Sequence, residues 1–116
     1  MEASKYILSN IQPGEKLLRV LSSSKGLFTG WFQDVPDVAL TDQRVFGRNA
    51  DGKSHSFPAS KIKNVEVRPD KGLLGREKST GSVAIIGPYN RELIYRSENM
   101  TADRDFIMKA LRLKFN

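Results

Sequence analysis

The chain has 116 residues, a formal net charge of +6 and no cysteine. That length holds one domain with a single modest core, and the ordinary apolar and charged fractions exclude a wholly disordered chain. Without thiols there are no disulfides, no thiol catalysis and no thiolate metal sites, a composition that fits a reducing, cytoplasmic setting. No apolar run approaches the roughly 20 residues of a membrane-spanning helix. The N-terminus lacks the basic-then-apolar pattern of a secretory signal, so the expected membrane role, if there is one, is peripheral. Excess positive charge favours an acidic partner. The signs are nevertheless mixed: from Lys61 to Lys78 basic residues alternate with Glu66, Asp70 and Glu77, as on a solvated surface.

In chain order, Ala3, Tyr6, Ile7, Asn10 and Ile11 recur at helical spacing, so the pattern predicts a short amphipathic helix over residues 3–11, stopped by Pro13-Gly14. "KLLRVLS" follows as a strand with Leu18 and Val20 on one face and Leu17, Arg19 and Leu21 on the other. "DVALT" reads as a half-buried strand with Val38 and Leu40 inward. "TDQR" is a turn, "RVFGR" a strand, and "NADG", residues 49–52, a hairpin signal, because Asn and Gly tolerate the positive φ of tight turns. "KSHSFP" runs to Pro58. In "KIKNVEV" Ile62 is out of phase with Val65 and Val67, which predicts a bulge near Lys63-Asn64. "GSVAIIG" and "RELIYRS" pair across the turn "GPYN". Seven short strands at this spacing imply an antiparallel barrel or sandwich. The last segment places Phe106, Ile107, Ala110 and Leu111 on a helical stripe, with Thr101 as N-cap, Asp103 and Asp105 early, and Lys109, Arg112 and Lys114 late.

Strands that end in one amphipathic helix describe a barrel plugged by that helix. The segment "ALTDQRVFGRNADGKSHSFPASKIKNVEVRPDKGLLGREKSTGSVAIIG" resembles the bacterial pleckstrin-homology-like (PH-like) domains over a little under half the chain. The likeness lies in Leu40-Thr41 and Arg44 at a strand entry, then Pro58 and Ile62 around the start of a strand ending in Val65 and Val67. Leu74-Gly75 follows in a loop, and Gly81-Ser82-Val83 opens the next strand. The resemblance implies one PH-like domain over 1–116: a helical arm over 1–14, barrel strands over 15–97 and a capping helix over 101–114. It also implies a non-catalytic scaffold that binds or assembles. The chain departs from the phosphoinositide-binding branch, since Lys25 stands alone and no basic-x-Arg pair precedes Arg44. Clustered, bidentate cations are what hold a phosphate tightly.

The residues themselves point away from catalysis. The one histidine, His55, sits on a strand between two serines, with no third group marked to orient it, and reads as structural. No metal-ligand spacing occurs, and "GREKSTG" lacks both the order of a phosphate loop and the helix such a loop needs. No cofactor is expected. Two loops hold the candidate contact residues. "SSSKGLFTGWFQDVPD" contributes Lys25, Phe28, Trp31 and Phe32, and "DKGLLGREKSTG" contributes Lys71, Leu73, Leu74 and Arg76. Three readings of the first loop stand side by side. Its aromatics cover one mouth of the barrel, each stabilising by roughly 1.5–3 kcal/mol; they form a protein or homo-oligomer interface; or they insert at an acidic membrane surface. For the loop itself the cover over the barrel mouth leads, and as a function contact with a protein partner or a second copy is the leading expectation. Single-stranded nucleic acid ranks last, because the aromatics for a stacking platform, Phe46, Phe57 and Tyr95, belong in the core.

Overall fold

The computed structural model describes residues 1–25, 35–72, 75 and 77–115. Its elements are α1 (Lys5–Asn10), β1 (Leu17–Ser22), β2 (Asp37–Thr41), β3 (Arg44–Arg48), β4 (Ser54–Pro58), β5 (Asn64–Lys71), β6 (Glu77–Ile86), β7 (Glu92–Ser97) and α2 (Met100–Ala110). The strands form two antiparallel sheets, ordered β1-β2-β3-β4 and β5-β6-β7. The class is mainly β with a C-terminal helix. The two sheets share no ladder, so the described strands do not close into the continuous barrel expected from the sequence. At one seam the chain changes sheet through a 3-10 turn, Ala59–Lys61, between β4 and β5. At the other, a side chain bridges the two sheets. Asn49 Nδ2 donates to the Glu92 carbonyl at 2.7 Å, and Asn49 Oδ1 accepts from the Ile94 N–H at 2.9 Å. One amide thus satisfies two backbone groups on the outer edge of β7 where a neighbouring strand would otherwise be needed.

The main core lies between the sheets and under α2. Val38 and Leu40 face it, as their alternation predicts, together with Phe57, Val83, Tyr95 and Ile107. A second cluster lies on the outer face of the first sheet, where Ile7 of α1 packs on Ala39 and Phe46. That arm changes the expectation for β2. The strand predicted to be half-buried is buried at every position from Asp37 to Thr41, because α1 covers its outer face. The phase expected in β1 is also corrected. Irregularities between Leu17 and Arg19 and between Val20 and Ser22 rotate the strand, so Leu17 and Val20 join the outer cluster while Leu21 enters the main core. Leu18 is left exposed.

Element ends differ from the sequence pattern for local reasons. The first helix spans Lys5–Asn10 rather than 3–11, since Ser4 Oγ accepts from the Ile7 N–H and Ile11 is already extended. No bulge occurs at Lys63-Asn64. Ile62 is buried as the residue after the 3-10 turn, and β5 begins at Asn64, with its irregularity between Pro69 and Lys71. β5 and β6 are longer than expected, which puts Lys71 on a strand opposite Glu77 instead of in a loop. The last helix spans Met100–Ala110, not 101–114. Its N-cap is Asn99, whose side chain accepts from the Ala102 N–H, and not Thr101. It ends in a Schellman motif: Arg112 has φ 55, its N–H donates to the Lys109 carbonyl, and the Leu113 N–H donates to the Met108 carbonyl. With arginine where glycine is usual, the sequence carries no stop signal there. No helix among the described residues is long and apolar enough to cross a membrane.

Candidate functional site

Of the residues singled out from the sequence, Phe28, Trp31, Phe32, Leu73, Leu74 and Arg76 lie outside the described residues. Lys25 and Lys71 are described, and both are exposed. Lys25 Nζ pairs with Glu2 at 3.0 Å across open surface. The two are not brought together by either sheet. Lys71 ends β5, at the end of the second sheet away from the β6–β7 turn. Lys25 follows the stem of β1, at the end of the first sheet that carries the β3–β4 turn.

That stem is fastened by Asp37, which is wholly buried. Its carboxylate accepts from the Ser24 N–H at 2.8 Å, from Ser24 Oγ, and from Arg48 Nη2 at 3.0 Å. Burial alone raises the Asp37 pKa; the Ser24 N–H, the Ser4 hydroxyl and the Arg48 cation outweigh it and hold the carboxyl below its ordinary value. Ser22 Oγ adds a bond to the Pro36 carbonyl at 2.7 Å. The segments on either side of residues 26–34 are therefore tied to each other. A cleft of about 550 Å³ opens beside it, lined by Ser22, Val35, Pro36, Ala50, Ile94 and Arg96 among others.

Past Asn49 the same end of the molecule carries the β3–β4 and β6–β7 turns. In the second, Tyr89 (φ 59) and Asn90 (φ 58) are both left-handed, and the Arg91 N–H closes the turn on the Pro88 carbonyl. Asparagine tolerates this region; for tyrosine it costs about 1 kcal/mol. The strained residue is also 88% exposed, the most exposed large hydrophobic of the described residues, and the Arg91 guanidinium lies 5.9 Å from its ring centroid. Behind the turn His55 stacks on Phe57 with ring centroids 5.7 Å apart, and Gly87 packs directly on the Phe57 ring, where a Cβ has no room. Burial, then the cations of Arg91 and Lys53 against Asp51, hold the His55 pKa below its ordinary value. Ser56 offers no nucleophile to it: it points to the opposite face of β4, where its hydroxyl accepts from Arg44.

Two clefts meet at this turn. One, of about 230 Å³, is lined by Phe57, Pro88 and Tyr89 with Ser54, His55 and Arg91. The other, of about 650 Å³, is lined by Asp51, Lys53, Asn90, Arg91 and Glu92 with His55 and Ile94. Among the described residues no group of three or more His, Cys, Asp or Glu is placed to hold a metal ion. The aromatic platform considered for nucleic acid is not on the surface, since Phe46, Phe57 and Tyr95 are each buried. The sequence reading missed Asp37, Lys53, Tyr89 and Arg91. A tyrosine in the recognised turn "GPYN" was the available signal, for a turn tip is solvent-facing and an aromatic there has no core to enter.

In comparisons with family models, with curated proteins and with solved structures, the chain matches none.

Proposed function

We propose that the chain is a non-catalytic PH-like module that binds or assembles, and that it works by contact with another protein or a second copy of itself at the end carrying the β3–β4 and β6–β7 turns. Two observations support a PH-like arrangement: four strands, then three, each set a separate antiparallel sheet, and a terminal helix packed on the second sheet. The buried ionisable groups support a scaffold. Glu15 is tied to Arg44, Asp37 to Arg48 and Tyr95 to Asp103, and among the described residues no buried side-chain polar atom lacks a hydrogen-bond partner. Groups committed in this way hold the fold.

The observation that carries the contact reading is Tyr89. An exposed aromatic beside an arginine is the composition of interface hot spots, and strain kept at a solvent-facing tip has no packing to explain it. The test is a photoreactive phenylalanine in place of Tyr89, introduced in the cells that make the protein, with the same group at exposed Lys109 as control. The expected result is a discrete adduct from position 89 and none from 109. An adduct of twice the chain mass identifies self-association. No adduct at 89, or the same products from both positions, counts against the reading.

A further inference from the structure

The end of the molecule around the β6–β7 turn holds cations that stand in no ion pair among the described residues. Among the described residues the ion pairs engage Arg19, Lys25, Arg44, Arg48, Arg68, Arg96 and Arg104, but not Lys53, Lys63 or Arg91. All three are exposed. Lys53 closes the β3–β4 turn, Arg91 closes the β6–β7 turn, and the Lys63 N–H binds the Ile86 carbonyl just before that turn. Of the two acids that line the larger cleft, one is in an ion pair and the other accepts a backbone N–H and keeps its charge. Glu92 is held by Arg68 at 2.8 Å, and Asp51 Oδ1 accepts the Lys53 N–H at 2.9 Å.

We infer that the β3–β4 and β6–β7 turns form a docking site for an acidic peptide segment of a partner protein, with Lys53 and Arg91 taking its carboxylates and the Tyr89 ring taking an apolar side chain between them. The inference rests on the protein-contact reading above. Charge complementarity favours an anionic partner: Lys53 and Arg91 both line the larger cleft, and among the described residues neither stands in an ion pair. The shape selects a peptide over a bilayer. A flat anionic surface meets protruding tips only. A chain lays single side chains into recesses of about 230 and 650 Å³, which lie in or just below the usual range for ligand sites. Arg91 walls both clefts, so one segment crossing it occupies the two together.

The test is a nuclear magnetic resonance titration of the full chain at low salt with the capped peptide Glu-Glu-Leu-Glu-Glu-Leu. Expected are saturable shifts in the amides of Lys53, Ser54, His55 and Tyr89 to Arg91, weakening as salt is added. Replacing both cations, Lys53→Glu with Arg91→Glu, is expected to weaken binding by about tenfold or more. Tyr89→Gly supplies an independent arm. Glycine suits the left-handed backbone, so this variant is expected to melt no lower than the parent and yet to bind more weakly. Absence of a saturable shift, shifts mapping elsewhere, or an equal response to the glutamine version of the peptide overturns the inference. So does a response at these amides to phosphatidylserine vesicles or to oligothymidylate when the peptide gives none. If the peptide fails while the adduct at position 89 stands, the acidic partner falls and the contact module survives; if both fail, both fall.

Discussion

Glu15 shows how much one side chain can hold in a domain of this size. Its carboxylate is 1% exposed and grips Arg44 through both oxygens, Nε to Oε2 at 2.6 Å and Nη2 to Oε1 at 2.9 Å. Arg44 passes the tie onward to the Asn10 carbonyl and Ser56 Oγ, so the N-terminal arm is locked to two strands of the first sheet. The Arg44 hydrogen bond is the largest cause, overcoming desolvation with help from the Gln12 N–H and the Thr41 hydroxyl, and it lowers the Glu15 pKa from 4.5 to about 2. The folded value lies below the unfolded one, so the stabilisation is complete above pH 4.5 and is lost as pH falls towards 2. The difference corresponds to roughly 3 kcal/mol. Urea melts across that pH window are expected to show Glu15→Gln less stable than the parent at neutral pH, with the gap narrowing on acidification. A gap independent of pH would show that the charge is not what holds the arm. Neither Glu15 nor Asp37 stood out in the sequence. An acid in a turn beside bases looks like any solvated acid until the fold buries it, and burial is what turns an ion pair into a structural tie.

At the scale of elements, beside the apolar run that marked β6, alternation located strands such as β2, because a two-residue period needs only one buried face to be visible. Its failures came where something outside the strand intervened. The irregularities in β1 shift its phase, and the arm over β2 buries the face that was expected to meet solvent. Asn49 is the sharpest case. "NADG" reads as a hairpin, and it is one, but the same asparagine also caps the edge of β7 more than forty residues away. Asn49→Ala removes a donor and an acceptor from that edge at about 1 kcal/mol. Faster hydrogen exchange is expected at the Ile94 amide, with no change at the Val83 and Tyr95 amides in the interior ladder. Equal protection at Ile94 in both proteins would mean that the seam is held by packing alone.

The whole molecule is held together by the terminal helix as much as by either sheet. Ile107 is wholly buried in the main core, and Phe106 packs beside it under the Arg19 guanidinium, 3.7 Å from the ring centroid. Tyr95 and Ser97 donate to Asp103, fastening β7 to the first turns of α2. Ile107→Ala is therefore expected to cost about 2–5 kcal/mol in thermal or urea unfolding, well beyond the effect of substitutions on the outer face of α2. A loss below about 1 kcal/mol would show a helix that merely rests on the sheet. The candidate contact end was only half legible at this scale. The two turns were visible as turns, but Lys53 lies far along the chain from Tyr89 and Arg91, and no local pattern says that it shares a surface with them. By itself the sequence determined the strand and helix content, the hairpins and the buried stripe of α2, since these follow from short periods and turn chemistry within a few residues. Tertiary structure alone decided that the strands divide into two sheets, which acids become buried ties, and that Lys53 and Arg91 line one cleft. Those outcomes depend on packing between distant segments, and packing leaves no periodic mark in the chain.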